Sequence, residues 1–69
     1  MLRDEMAKRP LLTVEEAADW LAISKPTLWR IIRRREIPVV RIGQRAVRIR
    51  FADLEEYVDR NTGTITEIG

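Results

Sequence analysis

Apolar residues recur along this chain with two different periods, and the change of period separates helices from strands. Val14, Ala17, Ala18 and Leu21 fall at i, i+3, i+4 and i+7, one stripe of an amphipathic helix. Thr13-Val14-Glu15-Glu16 has the form of a capping box at its start, with Leu12 and Ala17 at the positions of a hydrophobic staple. Glu15, Glu16 and Asp19 fall on the wet side, and acids in a first turn suit the positive end of the helix dipole. Alanine at 17 and 18 allows a second helix to approach closely. Trp20 lies beside the stripe and is assigned to core packing. Leu21-Ala22-Ile23-Ser24 then reads as a turn, with Ile23 filling the angle between two helices.

Ser24 is an N-cap residue, and Pro26 is tolerated in a first turn because its missing N–H has no partner to lose there. The helix that follows, over 24–35, has two faces. At about 100° per residue, Leu28, Ile31 and Ile32 point one way. Arg30, Arg33 and Pro26 point nearly the opposite way, flanked by Thr27 and Arg34. Trp29 sits at the boundary and is assigned to the core rather than to a ligand. The helix is predicted to end near Arg34 or Arg35, because Pro38 pushes Ile37 toward extended geometry.

The period then drops to two. Val39-Val40-Arg41-Ile42 and Ala46-Val47-Arg48-Ile49-Arg50 read as two short strands joined at Gly43-Gln44-Arg45, with Gly43 supplying positive φ. Val40 with Ile42, and Val47 with Ile49 and Phe51, are expected on apolar faces, leaving Arg41, Arg48 and Arg50 outward. A third helix over 52–60 carries Leu54, Tyr57 and Val58 at helical spacing and is expected to close the core against the first. Its acids, Asp53, Glu55, Glu56 and Asp59, read as a solvated face without partners. The predicted fold is mainly α with a small β-hairpin: a winged helix-turn-helix of three helices and a two-stranded wing. Its expected limits are a flexible lead-in over 1–10, a domain over 11–60 and a tail over 61–69, in which Ile65 and Ile68 are unexplained by a monomer.

Charge changes the picture more than composition does. The chain of 69 residues has a net charge of +2, but that total hides a division. Between Lys25 and Arg50 nine basic residues meet one acid, Glu36, a balance of +8; elsewhere four basic residues meet ten acids, a balance of −6. A cationic block confined to one helix and one hairpin is the electrostatic footprint of a phosphate-binding surface. A merely solvated basic face is the competing reading, and for Arg41, Arg48 and Arg50 so is a structural hairpin. A structural hairpin is a weaker explanation of Arg45 at the tip, which no core requirement explains. Cysteine and histidine are absent, which removes thiolate and imidazole metal ligands and the commonest general base. No apolar run reaches membrane-spanning length and no signal peptide is visible. A cytoplasmic protein without cofactor, metal or small-molecule substrate is expected, and not an enzyme.

Several short strings together carry a family resemblance: Leu12-Thr13-Val14-Glu15-Glu16-Ala17-Ala18, Leu21-Ala22-Ile23-Ser24, Thr27-Leu28-Trp29-Arg30-Ile31-Ile32, Ile37-Pro38-Val39, Arg41-Ile42-Gly43 and Asp53-Leu54-Glu55. Over roughly 11–60 the chain resembles the excisionase-type winged helix-turn-helix domains, relatives of the MerR DNA-binding domain. Two positions depart from that pattern. Ala22 stands where glycine is common in the turn, and Arg35 where glycine commonly ends the recognition helix.

The resemblance implies a partner, double-stranded DNA, and a division of labour. Lys25, Arg33, Arg41 and Arg48 are candidates for phosphate, as are Ser24 and the amides at the helix start. Arg30 is the candidate base reader, since a guanidinium bonds guanine O6 and N7 together. Thr27 suits a thymine methyl or a base edge, and Arg34 suits either role. Gln44 and Arg45 suit the neighbouring minor groove. Members consisting of this domain alone resemble phage or mobile-element excisionases, which bend attachment-site DNA and direct an integrase toward excision. The resemblance therefore also implies an integrase partner and head-to-tail association on DNA. The alternative is a small MerR-like or prophage transcriptional regulator, although the chain has no long heptad helix for dimerisation. A protein-binding module is a further reading on the residues alone.

Overall fold

The computed structural model describes residues 10–63, and the expectations for 1–9 and 64–69, Ile65 and Ile68 among them, lie outside the described residues. In chain order the elements are β1 (Leu11–Thr13), α1 (Val14–Leu21), α2 (Lys25–Arg33), β2 (Val40–Ile42), β3 (Ala46–Arg50) and α3 (Phe51–Arg60). Three helices and an antiparallel hairpin appear as the periodicities predict. The sheet, however, has three strands rather than two.

Its order is β1-β3-β2, with β3 in the centre and both pairings antiparallel. The apolar pair before the first helix is thus a strand and not only a lead-in, and Leu12 lies opposite Ile49. Both side chains are fully buried. Thr13 ends β1 and caps α1 at once. Its Oγ1 accepts from the Glu16 amide at 3.0 Å, and Glu16 Oε1 accepts from the Thr13 amide at 3.0 Å. The capping box therefore joins sheet to helix.

The core consists of Leu12, Val14, Ala17, Ala18, Leu28, Ile37, Ile49 and Leu54. Ala17 and Ala18 present almost no side chain, and α2 packs against α1 there through its buried Leu28. Trp20 and Phe51 meet edge to face at 5.1 Å, linking α1 to the start of α3. α3 sends Leu54 into the core shared with Ala17 and Ala18 of α1 and Ile49 of β3, and Val58 remains 37% exposed beside Trp20. Phe51 opens the helix instead of ending the strand. Asp53 is not partnerless, since its carboxylate accepts from Arg50 Nε at 3.2 Å.

The hairpin departs from expectation in which side chains share a face. Residues opposite one another in an antiparallel pair point to the same side. Arg41 lies opposite Val47, and Val40 opposite Arg48. Arg41 thus shares the face of Val47 and Ile49, while Val40 and Ile42 share the face of Arg48, and Ile42 is 45% exposed. The register set by the turn at 43–45 decides this, and strand periodicity alone does not fix it. Gly43 adopts φ +65 there, as its position in the turn requires.

Both helices of the central pair close through left-handed residues that are not glycine. Ala22 has φ 60 and Arg35 has φ 63. The amides of Ala22 and Ile23 return to Asp19 and Ala18 at 3.0 Å each. Those of Arg35 and Glu36 return to Ile32 and Ile31 at 2.9 and 3.2 Å. These paired bonds are Schellman closures, so the turns keep the usual geometry and carry the strain of a Cβ.

Two stability predictions follow from this packing. Leu28→Ala leaves a cavity between α1, α2 and the sheet and is expected to cost about 2–5 kcal/mol. For a domain this small that loss should leave most of the chain unfolded at 37 °C by circular dichroism. Ala22→Gly relieves a left-handed Cβ at some cost in unfolded-state entropy, for a net gain of about 0.5–1 kcal/mol. A thermal melt should show this as a rise of about 3–6 °C.

Candidate nucleic-acid interface

The site is assembled on α2 and the hairpin. Burial of Leu28, with half-burial of Ile31 and Ile32, fixes the rotation of α2 about its axis. Arg30, Arg33 and Pro26 are thereby held outward and exposed, with Lys25 and Arg34 at the helix ends. Ser24 caps the helix: its Oγ accepts from the Thr27 amide at 3.3 Å and lies 2.8 Å from Thr27 Oγ1. The hydroxyl of Thr27 thus takes part in the cap. Trp29 packs partly against the core, as expected, and its remaining surface lines an open groove beside α2.

The basic residues divide by partnership. Arg50 is paired with Asp53. Arg60 donates to the Glu36 carbonyl at 2.7 Å and lies over the Tyr57 ring. Arg48 is half-buried on the central strand, and its guanidinium donates to the Val47 carbonyl at 2.9 Å. By contrast, among the described residues no hydrogen bond or ion pair engages the side chains of Lys25, Arg30, Arg33, Arg34, Arg35, Arg41 or Arg45. All seven are exposed, as is Gln44 beside Arg45 at the hairpin tip. All ten site residues the sequence nominates lie exposed or half-exposed along α2 and the hairpin, and among the arginines of that set Arg48 alone has its guanidinium bonded to its own strand. Sequence alone places Arg35 only at the helix end. Its left-handed position at the close of α2 adds it to the unpaired set.

Such a surface is built for polyanions. Guanidinium forks bond phosphate oxygens or a guanine edge in two places at once, and unpaired cations lose no internal partner when they do so. Among the described residues no group of three or more acidic side chains is arranged to hold a metal ion. Among the described residues no helix is long and apolar enough to cross a membrane.

Helix, tight turn, capped cationic helix and antiparallel hairpin together define a winged helix-turn-helix. The profile of the family described as the helix-turn-helix domain matches residues 11–62, and the chain belongs to that family. Two similar proteins come from Mycobacterium tuberculosis, one from strain CDC 1551 / Oshkosh and one from strain ATCC 25618 / H37Rv. Each bears the name of a putative DNA-binding protein and is 42% identical over 40 residues. The shared stretch is 58% of this chain and 51% of each relative, so the chain spans about half the length of the curated relatives it matches.

Proposed function

We propose that this chain binds duplex DNA in a sequence-specific manner, with α2 in the major groove and the hairpin against the neighbouring backbone and minor groove. One observation carries the reading: the unpaired cations lie along α2, at its close, on β2 and at the hairpin tip, whereas Arg48, Arg50 and Arg60, each with a partner, lie on β3 and α3. The names of the two mycobacterial relatives support the same class. Arg30, mid-helix and exposed, reads base edges. Lys25, Arg33 and Arg41 hold phosphate, and Arg45 with Gln44 enters the minor groove. The protein acts in the cytoplasm, on the nucleoid.

Within that class the role is architectural, that of an excision factor of a phage or mobile element. A small domain gripping two adjacent grooves bends DNA without catalysis of its own, and the family strings described above point to excisionases. Monomers bind direct repeats head to tail and bias an integrase toward excision. A transcriptional regulator bound as a two-fold dimer is the competing role. Footprinting separates them: ordered protection of direct repeats supports the excision factor, and a two-fold symmetric footprint contradicts it.

The binding itself is tested on a duplex selected from a random library. Arg30→Ala is expected to cost about 1–3 kcal/mol on the selected site and to flatten discrimination at one base position. Arg33→Ala is expected to weaken all duplexes alike, with the slope of log affinity against log salt shallower by about 0.9. Unchanged affinity and salt slope in both variants would refute the assignment.

A further inference from the structure

Beside the outward face of α2 lies an open groove of about 740 Å³, between α2 and the chain that enters β2. Its floor is apolar, formed by half-buried Trp29, Ile32 and Val39. Its rim is cationic, formed by Arg33, Arg35 and Arg41. The three guanidiniums come from three places: the last turn of α2, the left-handed residue that closes it, and β2. None has a hydrogen-bond or ion-pair partner among the described residues. Arg41 reaches the groove because the hairpin register puts it opposite Val47, on the face turned toward the helices.

Arg35 is the unusual member. At φ 63 it occupies a position that glycine fills without strain. The closing bonds from the Arg35 and Glu36 amides need no side chain, so the arginine adds nothing to the closure itself. What it adds is a third charge on the rim.

We propose that this groove seats one sugar-phosphate strand of the duplex, with Arg35 as a phosphate ligand beside Arg33 and Arg41, and with Trp29 and Val39 against deoxyribose carbons. The occupant follows from the lining. A nucleic-acid strand alternates apolar sugar with anionic phosphate, which matches an apolar floor under a cationic rim. An apolar helix would leave three guanidiniums unmatched, and a small inorganic anion would leave the floor uncovered. The assignment rests on the DNA-binding reading above and adds to it a third strand-gripping surface between helix and hairpin.

The test combines thermal melts with binding to the selected duplex across a salt series, for three variants. Arg35→Gly removes charge and strain together. Its melting temperature is expected to rise by about 3–6 °C, while its affinity falls about five- to tenfold and its salt slope becomes shallower by about 0.9. Arg35→Gln keeps the strain and removes the charge, so it should lose the same affinity with no gain in melting temperature. Arg35→Lys keeps a charge and should stay within about threefold of the parent protein. If Arg35→Gly keeps the parent affinity and slope while Arg30→Ala still loses discrimination, the groove assignment falls and DNA binding stands. If the parent protein binds no duplex, both fall. If Arg35→Gly loses affinity for an acidic amphipathic peptide but none for DNA, the occupant is a protein and the proposal is overturned.

Discussion

Burial of Leu28 is the constraint on which the rest of this molecule depends. A helix with one apolar face and one cationic face has no preferred orientation in isolation. Docked on Ala17 and Ala18 of α1, it can turn only one way. Leu28 is then fully buried, and Arg30 and Arg33 stand outward. Other features hold this arrangement in place. The Thr13–Glu16 box ties β1 to α1, Ser24 starts α2 at the required residue, and Ile37 re-enters the core as soon as α2 has ended. Packing on one side of α2 thus fixes the chemistry on the other.

The arginines illustrate how charge is apportioned in a chain with little net charge. Arg50 and Arg60 serve the fold, through Asp53 and through the Glu36 carbonyl. The cations of α2 and of the hairpin tip have no such partner among the described residues. Leaving many like charges unpaired on one surface is a self-repulsion that folding alone does not reward, and a bound polyanion relieves it. Arg35 makes the same point from the backbone, since a left-handed arginine is costly where glycine would serve.

Much of this was legible in the sequence, and the parts that were not share a cause. Local signals read correctly: the capping box at Thr13, the cap at Ser24, the helical period through Leu28, and the turn at Gly43. Each is decided by residues within a few positions of one another. Strand β1 is not legible, because three residues are too short for a period of two and the partner of Leu12, Ile49, lies far along the chain. The face of Arg41 is set by the register across the turn, and the partner of Asp53 belongs to the preceding strand, so neither shows in the period of one element. For the site, helical periodicity found Arg30 and Arg33. It had no means of finding Arg35, whose place on the groove depends on one left-handed φ. The absence of glycine at that position was the available signal.

The central claim is that duplex DNA is held by the outward face of α2 and by the hairpin. The most direct test is a backbone amide chemical-shift titration of the isotope-labelled protein with the selected duplex. The account predicts that the large shifts fall on 24–35 and 40–46, while the acidic faces of α1 and α3 stay near their free positions. Shifts concentrated on α1 and α3, or spread evenly over the chain, would contradict it.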